Sequence, residues 1–482
     1  MSFDAGKTPA PHSPEPGRYH SVVFPAACPE RAGRREIRGG PAAGVRHPER
    51  RVRHGAGPCR PVPPRGTAAA ARPAAGAFAV VRPARRKLSV PVPTLAPVNE
   101  VRTAARTLTV RELNRALLAR QGLLERLPVA PTAAVERVGA LQMQYWPSLG
   151  PALWSRITPC PPEAPFAAHA SGELVTGTLL RGTIHTVSAA DYPAYAVVTG
   201  ASAVSQWRHP ADPPPAAAVA ELRAELLAYA ARPRTVAEVC AFIESWVARN
   251  PGVFGEAELT YQRRLDWRPF CGKVWLVRVP RDGRWDGRRP SALQAAPVTE
   301  GPEPDEALRT VIRRHLAAFG PAAAEDVANW IGWNRTPVRA ALRAMDDLVA
   351  FADEAGRVLY DLPDAPRPGP DVTAPVRLLP WFDSVLLAYL PGRRARILPE
   401  RHRDEVFDKR NGRVKACFLV DGMVAGTWSV DATRRAEAVV TLTPFEPVPR
   451  AARDALLAEA EAMARFCRPD APAHRVRVEE VR

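Results

Sequence analysis

Lysine is nearly missing from this chain: 482 residues include five lysines, so 62 of the 67 basic side chains are arginine. With alanine and proline so frequent, that excess fits a GC-rich coding sequence, and arginine number alone says nothing about phosphate binding. The shortage also argues against Schiff-base chemistry, because beyond residue 104 only Lys273, Lys409 and Lys415 remain, none in an apolar nucleophile setting. Cysteine is sparse and scattered: Cys28, Cys59, Cys160, Cys240, Cys271, Cys417 and Cys467 are odd in number, and no two stand at zinc-ligand spacing. That excludes a cysteine zinc site and fits buried thiols in a reducing cytoplasm. No apolar run reaches the roughly 18 residues of a membrane span, and no glycine-rich phosphate loop follows a predicted strand. The expectation is a cytoplasmic protein with no membrane span, metal or cofactor.

The length allows two to four domains with sizeable cores. Charge is placed unevenly. Residues 1–100 carry 17 Lys and Arg against 6 Asp and Glu, a net of +11, which leaves only +6 of the total +17 for the other 382 residues. Residues 1–104 are rich in Pro, Gly, Ala and Arg without periodicity and read as a disordered extension. Arg34-Arg35 and Arg85-Arg86-Lys87 could serve a nucleic-acid arm or an organelle address, although little amphipathic pattern supports a transit peptide.

From there the chain reads as helices punctuated by hairpins. Thr109 and Glu112 form a capping box ahead of Val110, Leu113, Leu117 and Leu118. Pro131 and Thr132 open a second helix whose apolar Val135, Val138 and Leu141 run up to Gln142-Met143-Gln144. Trp146 and Trp154 read as core aromatics. Leu179 to Val187 reads as a strand containing Arg181 and His185, with a helix after it. A second helical stretch spans 219–250 with Thr235 as a cap, then Lys273–Val279 alternates as a strand into an Arg281-Asp282-Gly283-Arg284-Trp285 turn. Helices at 305–319, 325–331 and 337–348 precede a hairpin across Glu354-Ala355-Gly356. Helices followed by a hairpin make a winged helix, and the recurrence implies tandem units. After residue 374, short strands at 376–379, 385–389, 414–420, 423–429 and 438–442, with Asp421-Gly422 as a hairpin signal, suit a small β-barrel closed by a helix at 456–466. The expected class is therefore mixed α/β: an extension (1–104), winged-helix units at 105–210, 211–300 and 301–366, and a barrel with a C-terminal helix at 367–482.

By spacing alone, two glutamines near a helix end are solvated caps. Their company changes that reading. Leu113 to Leu124, Leu141-Gln142-Met143-Gln144-Tyr145-Trp146-Pro147-Ser148-Leu149, Pro151 to Ile157, Leu180 to Tyr192, Leu378-Leu379-Pro380-Trp381-Phe382-Asp383, Val420 to Trp428 and Leu442 to Pro447 follow one another over residues 105–470. As an ordered set they resemble the winged helix DNA-binding family that contains the AlkZ-type bacterial DNA glycosylases. That family begins near residue 105, so a spurious upstream start is a further reading of the extension. The chain departs from the family after Tyr389, where Leu390-Pro391-Gly392-Arg393 replaces a common Asp-Arg pair.

The resemblance implies hydrolysis of the N-glycosidic bond of N3- or N7-alkylated, bulky or crosslinked purines in double-stranded DNA. Such a base already carries positive charge and leaves without protonation. Gln142 and Gln144 would then be the catalytic pair that places a water, with Gln144 setting the chain in the Gln-apolar-Gln branch rather than the Gln-apolar-Asp one. Arg181, His185, Arg281 and Arg284 are candidate DNA contacts. The competing readings are a non-enzymatic winged-helix regulator, which has no need of the glutamine pair, and a family member without activity.

Overall fold

Helix starts follow the local sequence closely. Thr109 caps the helix Val110–Arg120: its hydroxyl accepts from the Glu112 N–H at 3.2 Å, and the Glu112 carboxylate accepts from the Thr109 N–H at 2.9 Å, which holds that carboxyl below its ordinary pKa. Thr235 and Glu238 repeat the device ahead of Val236–Arg249. Leu113, Leu117 and Leu118 are buried as the periodicity requires, whereas Val110 is 40% exposed. The computed structural model describes residues 106–285, 289–410, 412–431 and 436–481. The expectations for residues 1–104 fall outside them.

The architecture is mixed α/β. A six-stranded antiparallel sheet runs in the order Leu141–Gln142, Ile184–Ser188, Leu174–Thr178, Leu276–Val279, Ala292–Ala295, Arg234–Thr235. The hairpin expected near Arg281 is there, but it pairs into the same sheet as the glutamine strand. Residues 105–210 and 211–300 thus share one sheet. Further on, Pro304–Phe319, Ala324–Ile331 and Arg335–Arg343 are three helices followed by the antiparallel pair Val349–Asp353 and Val358–Asp361. Thr107–Leu108 adds to that pair as a parallel strand. The third helix stops at Arg343, five residues short of the expected end.

Two readings of the C-terminal region are corrected. The five strands Arg377–Leu379, Cys417–Val420, Met423–Asp431, Glu437–Pro444 and Ala473–Val478 form an open sheet, not a closed barrel. Its last strand is parallel to Glu437–Pro444, and the long helix Arg450–Cys467 makes the crossover. That helix buries Leu456, Ala460 and Met463 with Phe418, Trp428 and Leu442, covering the face a barrel would have closed. The strand expected at 385–389 is instead the short helix Ser384–Leu387. Asp383 starts it by accepting from the Val385 N–H at 3.0 Å. Asp421 and Gly422 do turn a hairpin, with φ of 44° and 80°. A Cβ on Gly422 would stand 2.7 Å from Asn114 Oδ1, so glycine is needed for close approach as well as for the turn.

Buried ion pairs join distant stretches. Arg156 and Asp383 meet at 2.8 Å with side chains 0% and 1% exposed, and Arg120 meets Asp361 at 2.7 Å in equal burial. Among the described residues no helix is long and apolar enough to cross a membrane.

Two predictions follow from these buried groups. Asp383→Ala leaves the Arg156 guanidinium unpaired in the interior and lowers stability by about 3–5 kcal/mol in denaturant melts. Burial, the largest cause in each case, depresses the pKa of His169 to about 4 and those of His185 and His315 to about 3. These rings are neutral when folded and take up protons on unfolding below about pH 6.5. Stability therefore holds above that pH and falls between about pH 6.5 and pH 4, with each histidine contributing up to roughly 1.4 kcal/mol per pH unit. Melts from pH 8 to pH 4.5 test this, and replacing His169 by a neutral residue flattens the slope.

Candidate functional site

The helix Pro131–Val138 ends at Gly139, whose φ is 79°, and the chain leaves in extended form. The glutamines therefore lie on and just past the edge strand Leu141–Gln142, not at a helix end. Leu141 and Gln142 pair with Thr186 and His185, and the Met143 N–H donates to the Ile184 carbonyl at 2.8 Å. Met143 is buried in a core with Trp146, Leu149 and Leu153. Strand alternation then puts Gln142 and Gln144 together on the opposite side.

Both amides are oriented by groups that can only donate. Gln142 Oε1 accepts from Arg181 Nη2 at 2.8 Å, and Gln144 Oε1 accepts from the Ile184 N–H at 3.2 Å. The carbonyl oxygens must face these donors, which turns both Nε2 groups the other way. Among the described residues neither Nε2 has a hydrogen-bond partner, and each carbonyl keeps a second lone pair. Gln142 is 7% exposed and Gln144 half-buried.

Arg181 interrupts the expected strand. It sits in a left-handed turn (φ 57°, ψ 16°) between Leu174–Thr178 and Ile184–Ser188. Its backbone packs on Gly332, where a Cβ would come within 3.2 Å, and its Nη1 donates to the Trp330 carbonyl at the end of Ala324–Ile331. Among the described residues no carboxylate contacts it. Burial, with the nearby charge of Arg394, lowers its pKa to about 10, so it stays cationic at neutral pH.

His185 lies opposite Gln142 in the register and is 1% exposed, beneath the site rather than at an exposed surface. Its Nδ1 bonds the Thr183 carbonyl at 3.1 Å, which fixes the proton on Nδ1 and leaves Nε2 as an acceptor. Arg281 and Arg284 are exposed on the turn after Leu276–Val279. Trp285 folds that turn back, with its ring 4.7 Å from His169 and 6.0 Å from Trp146. The structure thus gathers Gln142, Gln144, Arg181 and His185, and leaves Arg281 and Arg284 on a separate turn.

Three neighbours were given no site role by the sequence reading. Tyr145 is 47% exposed beside Gln144, with its ring 5.8 Å from Trp381. Trp381 is tied to this strand by its carbonyl, which accepts from Ser148 Oγ at 3.0 Å. Arg394 is buried near Arg181. The family resemblance marked the Trp381 stretch, but nothing local reveals that these side chains converge. Among the described residues no group of three or more His, Cys, Asp or Glu could hold a metal ion.

The solved structure of the Streptomyces sahachiroi DNA glycosylase AlkZ matches this fold with a TM-score of 0.62 at 22% identity, over 77% of this chain and 100% of that one. The Interstrand DNA cross-link repair glycosylase of Streptomyces sahachiroi is 33% identical over 171 residues, 34% of this chain. That match spans 44% of the relative's length. The model of the DNA glycosylase AlkZ-like family matches residues 135–466, a stretch that contains both glutamines, Arg181 and Trp381. By that match, which covers well over half of its length, the chain belongs to the DNA glycosylase AlkZ-like family.

Proposed function

We propose that this protein is a monofunctional DNA glycosylase that hydrolyses the N-glycosidic bond of alkylated purines in double-stranded DNA, acting as a monomer. The observation that carries the reading is the pair of same-face amides, each oriented by a fixed donor and each with an unpartnered Nε2. An amide is a poor base, and among the described residues no carboxylate bonds to either glutamine or to Arg181. Such a site can place a water through a free lone pair and an NH₂ group, but it cannot protonate a neutral base. It suits an N3- or N7-alkylated purine, which is already cationic. Bulky and crosslinked adducts are the substrate class we favour, in keeping with the name of the Streptomyces relative.

Tyr145 and Trp381 offer aromatic faces to a base drawn out of the stack. The winged-helix units expected over residues 105–366, the first two of them joined in one sheet, form the surface along which the duplex lies. Arg281 and Arg284 contact its phosphates from the turn that follows Leu276–Val279.

Single-turnover base release from a duplex holding one N7-alkylguanine tests the chemistry. Wild type should release base above the spontaneous rate, with Gln142→Ala and Gln144→Ala each slower by roughly 100-fold or more and duplex binding little changed. Binding without release across a panel of bulky adducts and crosslinks would leave a DNA-binding module instead. The rate should also be flat from pH 6 to pH 8.5, because His185 titrates at about 3 and Arg181 at about 10. An acidic limb near pH 6.5 would point to a general base that this site does not contain. If Arg281 and Arg284 each hold a phosphate, replacing either by alanine lowers the slope of log K against log salt by about 0.9.

A further inference from the structure

The turn Pro391–Arg396 carries three arginines, and two of them are fully accounted for. Arg393 reaches Asp326 at 3.3 Å and Glu325 at 3.4 Å. Arg396 donates to the Pro321 carbonyl at 2.9 Å and stacks on Tyr389 at 4.2 Å. Arg394 differs. It is 8% exposed, its guanidinium carbon lies 4.3 Å over the Phe407 ring, and its buried Nε has no hydrogen-bond partner. Among the described residues its side chain makes no ion pair or hydrogen bond. The charges around it are Arg181 and Arg403 of like sign, and Glu400, which is engaged by Arg403 at 3.1 Å.

A buried guanidinium without a counter-charge is costly, and a second cation nearby makes it more so. Arg181 is equally without a carboxylate among the described residues and is the residue that holds Gln142. With Arg394 near it, an unneutralised Arg181 beside Gln142 would also oppose the oxocarbenium-like sugar that glycosidic cleavage builds there. A single anion between them removes both conflicts. Stacking on Phe407 holds the planar donor fork of Arg394 in place, and that fork matches the geometry of a phosphate.

We propose that Arg394, together with Arg181, forms a phosphate subsite that grips the DNA backbone next to the damaged nucleotide. The bound phosphodiester neutralises the arginines and presents negative charge to the sugar. The proposal rests on the DNA-glycosylase reading for its ligand but not on base release. The strand enters with its backbone on the Arg394 side, and the glutamines face the sugar from the Arg181 side. Arg394 acts in binding and positioning.

The test uses the full chain and a duplex with one tetrahydrofuran abasic analogue, so that no turnover occurs. Each phosphate flanking the analogue is replaced in turn by an uncharged methylphosphonate, and affinity is read by fluorescence anisotropy. Wild type should lose roughly tenfold or more at one of the two positions. Arg394→Gln should lose a similar factor on the unmodified duplex and nothing further from methylphosphonate at that position. Effects that multiply independently at both positions, or wild-type affinity in Arg394→Gln, overturn the subsite. If Arg394→Gln fails to melt as a folded protein, Arg181→Gln carries the same cycle with the same two outcomes. Coupling without base release removes the enzymatic reading alone, and base release without coupling removes the subsite alone.

Discussion

The position of the glutamine pair depends on one buried cation, Arg156. Its Nη2 bonds Asp383 at 2.8 Å, its Nη1 donates to the Ala152 carbonyl at 3.0 Å, and its Nε and Nη2 share the Gln121 carbonyl oxygen. The far end of Gln121 donates to the carbonyls of Val138 and Ala318, each at 2.9 Å. Val138 is the last residue of the helix that delivers the chain to Gln142. Two residues later the Ala140 carbonyl accepts from Ser384 Oγ at 3.0 Å. The strand Leu141–Gln142 is thus clamped at its entrance by Asp383 and Ser384, more than 200 residues away in sequence. A charge this deeply buried is tolerated only when fully satisfied, so the network has one arrangement or none.

The same logic explains why the first helix is so polar where it is buried. Asn114, Arg115, Arg120 and Gln121 are all 2% exposed or less. Asn114 Nδ2 donates to the carbonyls of Arg396 and Gly422, and Arg115 pairs with Asp421. Arg120 holds Asp361, at the end of the hairpin after the third helix, and Arg367 joins that carboxylate. One helix thus ties the C-terminal sheet, the helical core and the chain leading to the site. The stretches that carry the family resemblance, from Asn114 to Gly122 and at Asp383 and Asp421-Gly422, meet here as structure and are not spent on chemistry.

At the site the balance of charge is reversed. Arg115, Arg120 and Arg156 are matched by carboxylates, whereas among the described residues Arg181 and Arg394 are matched only by a carbonyl, an amide oxygen and an aromatic face. Two neutral amides beside two unmatched cations form a surface prepared for an anionic ligand and for a reaction that needs no proton from the protein. The electrostatics and the chemistry of the amides therefore point to the same substrate.

What the sequence determined by itself were features set within a few residues. The Thr109–Glu112 and Thr235–Glu238 caps, the Asp421-Gly422 turn and the hairpin across Glu354-Ala355-Gly356 were legible because backbone donors find their partners within about four positions. Tertiary structure decided the rest. Gln142 lies on a strand because His185 pairs with it and the Met143 N–H bonds the Ile184 carbonyl, although the preceding residues read as helix. Residues 384–387 form a helix because Arg156 and the Val385 N–H hold Asp383 at its start. The C-terminal sheet stays open because the helix Arg450–Cys467 covers one face. Arg394 looks in sequence like one arginine among 62. Among the described residues it is distinguished by a buried side chain with no hydrogen bond or ion pair, which depends on everything that packs around it and on no neighbour along the chain.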